Sequence, residues 1–315
     1  MGGARRGVYL GKRAMFDRVT LAHDLIDCRG GLLARRGFVI SAQSIAEAAA
    51  AAPRTPRLPM ADTAHAGEAL GPLEDPRYQH LFREPMVRTL VSRALLDVRL
   101  PEVLFEELTA VQRANPALYR HGLATAAVAV RMLLAAVGEL RGVPDLAAAA
   151  LLHDLGMRHV PMRLVRNRDR LTRQESGEIA AHPLTGALHL ARVLGPHPAV
   201  AAAHAHHWRC GQGYPSLAAP PPRSAEVVGV ASAFAALTQP RPFRSDPYDV
   251  RAAADVLVAE ARAGTADANT VKLLIHALRG GQGDVRAVRF GGQRGGQVPE
   301  INRHTPVAAP EPSIS

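Results

Sequence analysis

At 315 residues and 47% hydrophobic content, the chain has ample apolar material for a buried core, which excludes an intrinsically disordered protein. Aromatic residues make up only 4% while alanine is abundant, a composition that favours closely packed helices over a β-sandwich. The formal net charge of +10 raises the question of a polyanionic partner. However, all but two of the 38 basic residues are arginines, scattered apart from groups such as Arg163, Arg166, Arg168, Arg170 and Arg173, so a solvated face is expected and no nucleic acid.

Residues 15–43 alternate short apolar runs with the turn-forming Gly30-Gly31 and Gly37, the pattern of two or three small strands. A helix with Ser44 as its N-cap follows. Residues 1–52 therefore read as a small α+β module. It carries no constellation of acid, base or metal ligands, which points to a regulatory role. Residues 53–80, rich in Pro, Ala, Gly and Asp, read as a linker. From 81 to 280 the periodicity is helical, with helices expected over 84–97, 101–113, 117–139, 144–155, 172–181, 184–194, 197–207, 224–238, 249–263 and 268–279. The tail 281–315, rich in Gly, Gln and Pro, reads as disordered. The fold class is thus mainly α, a helical bundle preceded by a small α+β module. Cys28 and Cys210 are too few for a disulfide framework. No stretch approaches the roughly 18 uninterrupted apolar residues of a membrane span, so a cytoplasmic protein without membrane contact is expected.

Nine of the 14 histidines fall between residues 121 and 207. The pair His153-Asp154 ends a helix whose preceding AAAALL must be buried. It sits at the mouth of the core, where an imidazole nitrogen and a carboxylate oxygen can bind one cation. A lone doublet is equally explained by a helix-end histidine and a capping aspartate. His121, His182, His204, His206 and His207 change the balance, because each lies beside apolar sequence where an unpaired polar ring is costly to bury. Shared ligation of a metal would satisfy several of them at once.

The segments HDLGMRHVP (His153 to Pro161), LTRQE (Leu171 to Glu175), HPLTG (His182 to Gly186), HHWRCGQGYP (His206 to Pro215) and ALTQPRPFR (Ala236 to Arg244) resemble, in this order, the motifs of the HD-GYP family of the HD phosphohydrolase superfamily. The resemblance implies an HD-type helical bundle that binds divalent iron or manganese and hydrolyses cyclic di-GMP to pGpG or GMP in bacterial second-messenger signalling. It implies His121, His153, Asp154, His182, His206 and His207 as metal ligands and Arg241 and Arg244 on the phosphates. It also implies the Gly213-Tyr214-Pro215 loop beside the ligand and as a docking surface for a diguanylate cyclase. Oligomeric state is open, a homodimer included. His204 is the weaker ligand candidate, because the segment is one residue shorter than HHExxDGxGYP. Counting back from GYP puts Ala205-His206 on the HH positions and His207 on the glutamate.

Three departures bear on chemistry. Met157 stands at the family's lysine after HD-x-G, Ser232 at its aspartate ligand and Ala235 at a second aspartate. Ala117 stands where a glutamate accompanies a third metal. A serine hydroxyl carries no charge and ligates divalent ions poorly, so one or two ions are expected, a single one being held by His121, His153, Asp154 and His182. Two functions follow: a phosphodiesterase with an eroded site, which leads, and a catalytically degenerate domain acting as a nucleotide-sensing or protein-docking module.

Overall fold

The computed structural model describes residues 16–138, 141–167, 171–292 and 295–300, so Arg168 and Arg170 of the basic group lie outside the described residues. Four short strands come first: β1 (Arg18–Thr20) pairs antiparallel with β4 (Val39–Ser41), and β2 (Leu25–Ile26) with β3 (Leu32–Ala34). Helix α1 (Ala42–Ala51) starts at Ser41 rather than at Ser44. Ser41 Oγ accepts from the Ser44 N–H at 3.3 Å, and Ser44 Oγ accepts from the Ser41 N–H at 2.9 Å. This reciprocal box puts the cap three residues before the residue that adjoins the alanine run.

Residues 53–80 are not a free connector. They form β5 (Leu58–Pro59), the single-turn helices α2 (Ala66–Ala69) and α3 (Gly71–Glu74), and two 3-10 turns. Met60, Leu73 and Tyr78 are buried, and the Tyr78 hydroxyl bonds the Thr238 hydroxyl at 3.1 Å. Proline and glycine break this stretch into short turns without removing its apolar anchors.

The helical body comprises α4 (Pro85–Leu96), α5 (Glu102–Ala114), α6 (Pro116–Val137), α7 (Val143–Leu152), α8 (Met162–Val165), α9 (Arg173–Ala180), α10 (His182–Leu194), α11 (Pro198–Ala205), α12 (Arg223–Thr238), α13 (Val250–Arg262) and α14 (Ala268–Leu278). Strand β6 (Arg99–Leu100), ahead of α5, pairs with β5. Helix α7 organises the body, because Val143 and every residue from Leu146 to Leu152 are buried. A helix apolar on all sides belongs at the centre, and α7 packs against α6, α11 and α12. None of the described helices is long and apolar enough to cross a membrane.

The described part of the tail also packs. Val288 is buried, Phe290 lies against the core, and the Gln297 carbonyl accepts from the Asp249 N–H at 3.1 Å. Its glycines leave backbone groups free to pair with residues at the start of α13, such as Gly295 N–H with Asp255 at 2.8 Å. Residues 301–315 lie outside the described residues.

Besides the packing of α1 on α10 and the Arg29 ion pairs with Glu102 and Glu106, one buried carboxylate ties the strand module to the helical body. Glu107 of α5 is fully buried, with Arg158 Nε 2.8 Å from its Oε2 and the Cys28 N–H donating to its Oε1 at 2.6 Å. The same Arg158 donates to the Ile26 carbonyl at 2.9 Å. Burial raises the Glu107 pKa, and Arg158 opposes that shift only in part.

Substituting Arg158→Ala leaves this carboxylate buried without a counter-ion, which should cost about 3–5 kcal/mol at neutral pH. The deficit should shrink as pH falls, since a protonated Glu107 needs no cation. Urea unfolding of both proteins at neutral and mildly acidic pH measures it; an equal deficit at both would assign the loss to packing alone.

Candidate metal centre

The ends of three helices meet in the core. His153 is the C-cap of α7, His182 the first residue of α10, and His206 the C-cap of α11. Each is locked by its own backbone. His153 Nδ1 lies 2.7 Å from the Ala150 carbonyl, His182 Nδ1 2.7 Å from the Ile179 carbonyl, and His206 Nδ1 3.0 Å from the Ala203 carbonyl. A carbonyl only accepts, so Nδ1 carries the proton in all three and Nε2 presents its lone pair inward.

These lone pairs converge on Asp154. His182 and His206 place Nε2 3.2 Å from its Oδ1, and His153 places Nε2 3.4 Å from its Oδ2. His121, in the second turn of α6, brings Nε2 within 3.6 Å of Oδ2. His182 and His206 also put their Nε2 atoms 3.1 Å apart. Two groups of ligand atoms result, each with all members within 4.8 Å: Asp154, His182, His206 and His207; and His121, His153 and Asp154. Asp154 belongs to both. The donor set suits Fe, Mn or Zn.

The convergence depends on two close approaches that glycine permits. A Cβ on Gly156 would lie 1.9 Å from the His182 carbonyl oxygen, and one on Gly213 would lie 1.7 Å from that of His207. The LTRQE segment has a structural role: Thr172 and Glu175 form the capping box of α9, whose last turn leads into His182.

All six expected ligands come together, and His204 does not join them. Ser232 of α12 faces the second group, its Oγ 3.3 Å from His121 Nε2 and 3.1 Å from His153 Nε2. Ala235 is buried in the core beside α12's other small residues, and Met157 packs against that core. Arg241 and Arg244 part company. Arg241 NH2 is 3.1 Å from His121 Nδ1. Arg244 is buried and donates to the carbonyls of Ala236, Leu237 and Gln239, closing the end of α12, so it is not placed to bind phosphate. Tyr214 stacks on His207 with centroids 4.5 Å apart, while Gly213 and Pro215 are buried, so a partner docking on this loop would meet Gly211 and Gln212 instead. The single-ion group expected from sequence draws His182 away from its real neighbours: His182 belongs with His206 and His207. Gln239, whose Oε1 lies 3.3 Å from His121 Nδ1, was not foreseen, since nothing local marks a glutamine after a helix as a site residue.

Burial lowers the pKa values of His121, His206 and His207. It brings His206 to about 4 although Asp154 opposes the shift, and it holds His121 and His207 well below their ordinary value, helped by Arg241 and His206 respectively. Burial would raise the Asp154 carboxyl, but His153, His182 and His206 outweigh it and keep it well below the carboxylate range. At neutral pH His121, His206 and His207 are therefore neutral and Asp154 ionised, the protonation states that ligate metal.

A family model described as HD domain matches residues 107–270. Three solved structures are similar: the HD domain of the L. monocytogenes phosphodiesterase PgpH in complex with cyclic-di-AMP, the same domain without that ligand, and Bd1817, an HDG"Y"P protein from Bdellovibrio bacteriovorus. The first shares 19% identity over 55% of this chain and 94% of its own, with a TM-score of 0.43. The second shares 15% over the same fractions, with a TM-score of 0.42. Bd1817 shares 18% over 75% of this chain and 78% of its own, with a TM-score of 0.45. The curated proteins searched gave no match.

The low His206 pKa makes the metal-free fold acid-sensitive. Its folded value of about 4 lies below the unfolded value near 6.5, so the stability contributed by the neutral ring is present above pH 6.5 and is lost as pH falls towards 4. His159, also held at about 4 by burial, adds to the same window. The urea midpoint of chelator-treated protein should fall across that range, with a shallower slope in His206→Gln; an unchanged slope in the variant would contradict the assignment.

Proposed function

This chain belongs to the HD domain family, and we propose that it is a metal-dependent phosphohydrolase of the HD-GYP type, hydrolysing a cyclic dinucleotide, with cyclic di-GMP the expected substrate. The supporting observation is the mutual approach of His182 Nε2, His206 Nε2 and Asp154 Oδ1, three acceptors 3.1–3.2 Å apart that a cation would satisfy. A divalent iron or manganese ion supplies the Lewis acidity that makes water nucleophilic near neutral pH and neutralises charge on phosphoryl oxygens. The protein's residues orient and screen. His207 is held edge-on to His182 and stacked by Tyr214, which fixes its ring at the centre. Arg241, beside His121, offers a fixed guanidinium for a phosphate oxygen. Water adds to phosphorus, the bond from phosphorus to the ribose oxygen breaks, and that oxygen takes up a proton, giving pGpG and, after a second cycle, GMP.

Ser232 favours a second reading, a domain that binds the nucleotide or a protein partner without turning it over, because it puts an uncharged hydroxyl beside His121 and His153. The two readings separate in one assay. Anaerobic incubation with cyclic di-GMP and Mn(II) or Fe(II) should yield linear product, and Asp154→Ala or His153→Ala should lower the rate by at least about a hundredfold. Binding of cyclic di-GMP without product would establish the sensing module.

Chelation followed by Mn(II) addition should lower and then restore Tm, because an ion bound only by the native state stabilises it by mass action. A Tm indifferent to Mn(II) would count against a metal centre.

A further inference from the structure

The two ligand groups differ in whether their hydrogen bonds close without an ion. At the His121 end the two rings and Ser232 close on one another, with Asp154 Oδ2 at 3.4 Å from His153 Nε2 and 3.6 Å from His121 Nε2 standing outside that chain. A guanidinium can only donate, so Arg241 makes His121 Nδ1 an acceptor at 3.1 Å and leaves the proton on Nε2. The Gln239 Oε1 contact at 3.3 Å is the longer one at the same nitrogen. His121 Nε2–H then donates to Ser232 Oγ at 3.3 Å, Ser232 O–H donates to His153 Nε2 at 3.1 Å, and His153 Nδ1–H donates to the Ala150 carbonyl at 2.7 Å. Every lone pair in this chain of bonds has a proton.

At the other end the bonds do not close. His182 and His206 both spend their Nδ1 protons on backbone carbonyls, so two bare Nε2 lone pairs and a carboxylate oxygen face one another. No hydrogen-bond donor reconciles them while the rings are neutral.

Charge leads to the same asymmetry. Among the described residues, Asp154 is the one carboxylate in either group. Two divalent ions would share that single negative charge in a desolvated core, with the Arg241 guanidinium adding a further positive charge beside His121. The affinity of such sites tracks the number of charged ligands.

Resting on the metal-dependent reading above, we infer that the centre holds one ion, bound by Asp154, His182, His206 and His207, and that Ser232, His121 and His153 form a hydrogen-bonded, ion-free half whose positive charge is supplied by Arg241. His121 is then a positioning residue for Ser232 and Arg241 rather than a ligand.

The test is metal stoichiometry. Full-length protein is stripped with chelator, titrated with Mn(II), and followed by elemental analysis and electron paramagnetic resonance. One Mn(II) per chain with the signal of an isolated ion is expected. His207→Ala should weaken Mn(II) binding by about tenfold or more, and His121→Ala by much less. Ser232→Asp, which adds a charged oxygen beside His121 and His153, should bind a second Mn(II) and give an exchange-coupled signal. Two ions in the unsubstituted protein, or equal losses in His121→Ala and His207→Ala, would overturn the one-ion inference while leaving a metal-dependent hydrolase in place. No bound Mn(II) at all would overturn the metal-dependent reading itself. If Ser232→Asp fails to fold, the unsubstituted stoichiometry and the two histidine variants still decide the matter.

Discussion

The structure depends on a single constraint: three imidazoles must donate their Nδ1–H groups to backbone carbonyls at helix ends so that their Nε2 lone pairs face inward around one carboxylate. His153, His182 and His206 each meet it at a helix terminus, with a carbonyl available three residues back. A histidine in mid-helix finds its neighbouring carbonyls already taken. The three helices must therefore end at one point, and the positions of α7, α10 and α11 follow from that need as much as from apolar burial.

Small residues make such a meeting point attainable. The alanines of α7 and α11 let helix axes approach closely, and Gly156 and Gly213 allow backbone to lie against the carbonyls of His182 and His207. The same economy explains why so few aromatic residues are needed: the core is filled by close-set backbone more than by large side chains. Outside the metal centre the buried Glu107 carboxylate draws together Arg158 and the Cys28 amide, which also fasten the strand module to the segment after Asp154.

Much of this was legible in the sequence. The helices of the body could be placed within a few residues because their apolar periodicity and their Pro and Gly boundaries agree. The ligands could be named because the ordered motifs resemble those of the HD-GYP family; the histidines beside apolar runs pointed only to a shared cation, and His204, beside such a run too, does not join the ligand groups. What was missed depends on contacts distant in sequence. The segment 53–80 looks like a connector by composition, yet Tyr78 is fixed by Thr238, whose position only the packed α12 reveals. Arg244 looks like a phosphate ligand by its motif, yet its guanidinium is buried with NH2 directed at carbonyls at the end of α12. Grouping His182 with His121 and His153 was natural from the order of motifs, whereas the direction of each Nε2 is set by which carbonyl each Nδ1 meets.

The departures from the HD-GYP pattern make physical sense as a set. Where the resemblance places an aspartate the chain has Ser232, and where it places a lysine the chain has Met157, so a negative and a positive charge are both absent at these positions. With both absent, a serine hydroxyl suffices to connect the two rings, and Met157 packs against the core. Arg241 is the remaining cation at that end, held by the hairpin bridge between residues 241 and 244 and by the His121 ring. A fixed guanidinium can donate to a phosphate oxygen without a further carboxylate to hold it, whereas a second metal ion there would have to share Asp154 with the first. That end therefore lacks the further carboxylate a second ion needs, while Arg241 remains beside His121.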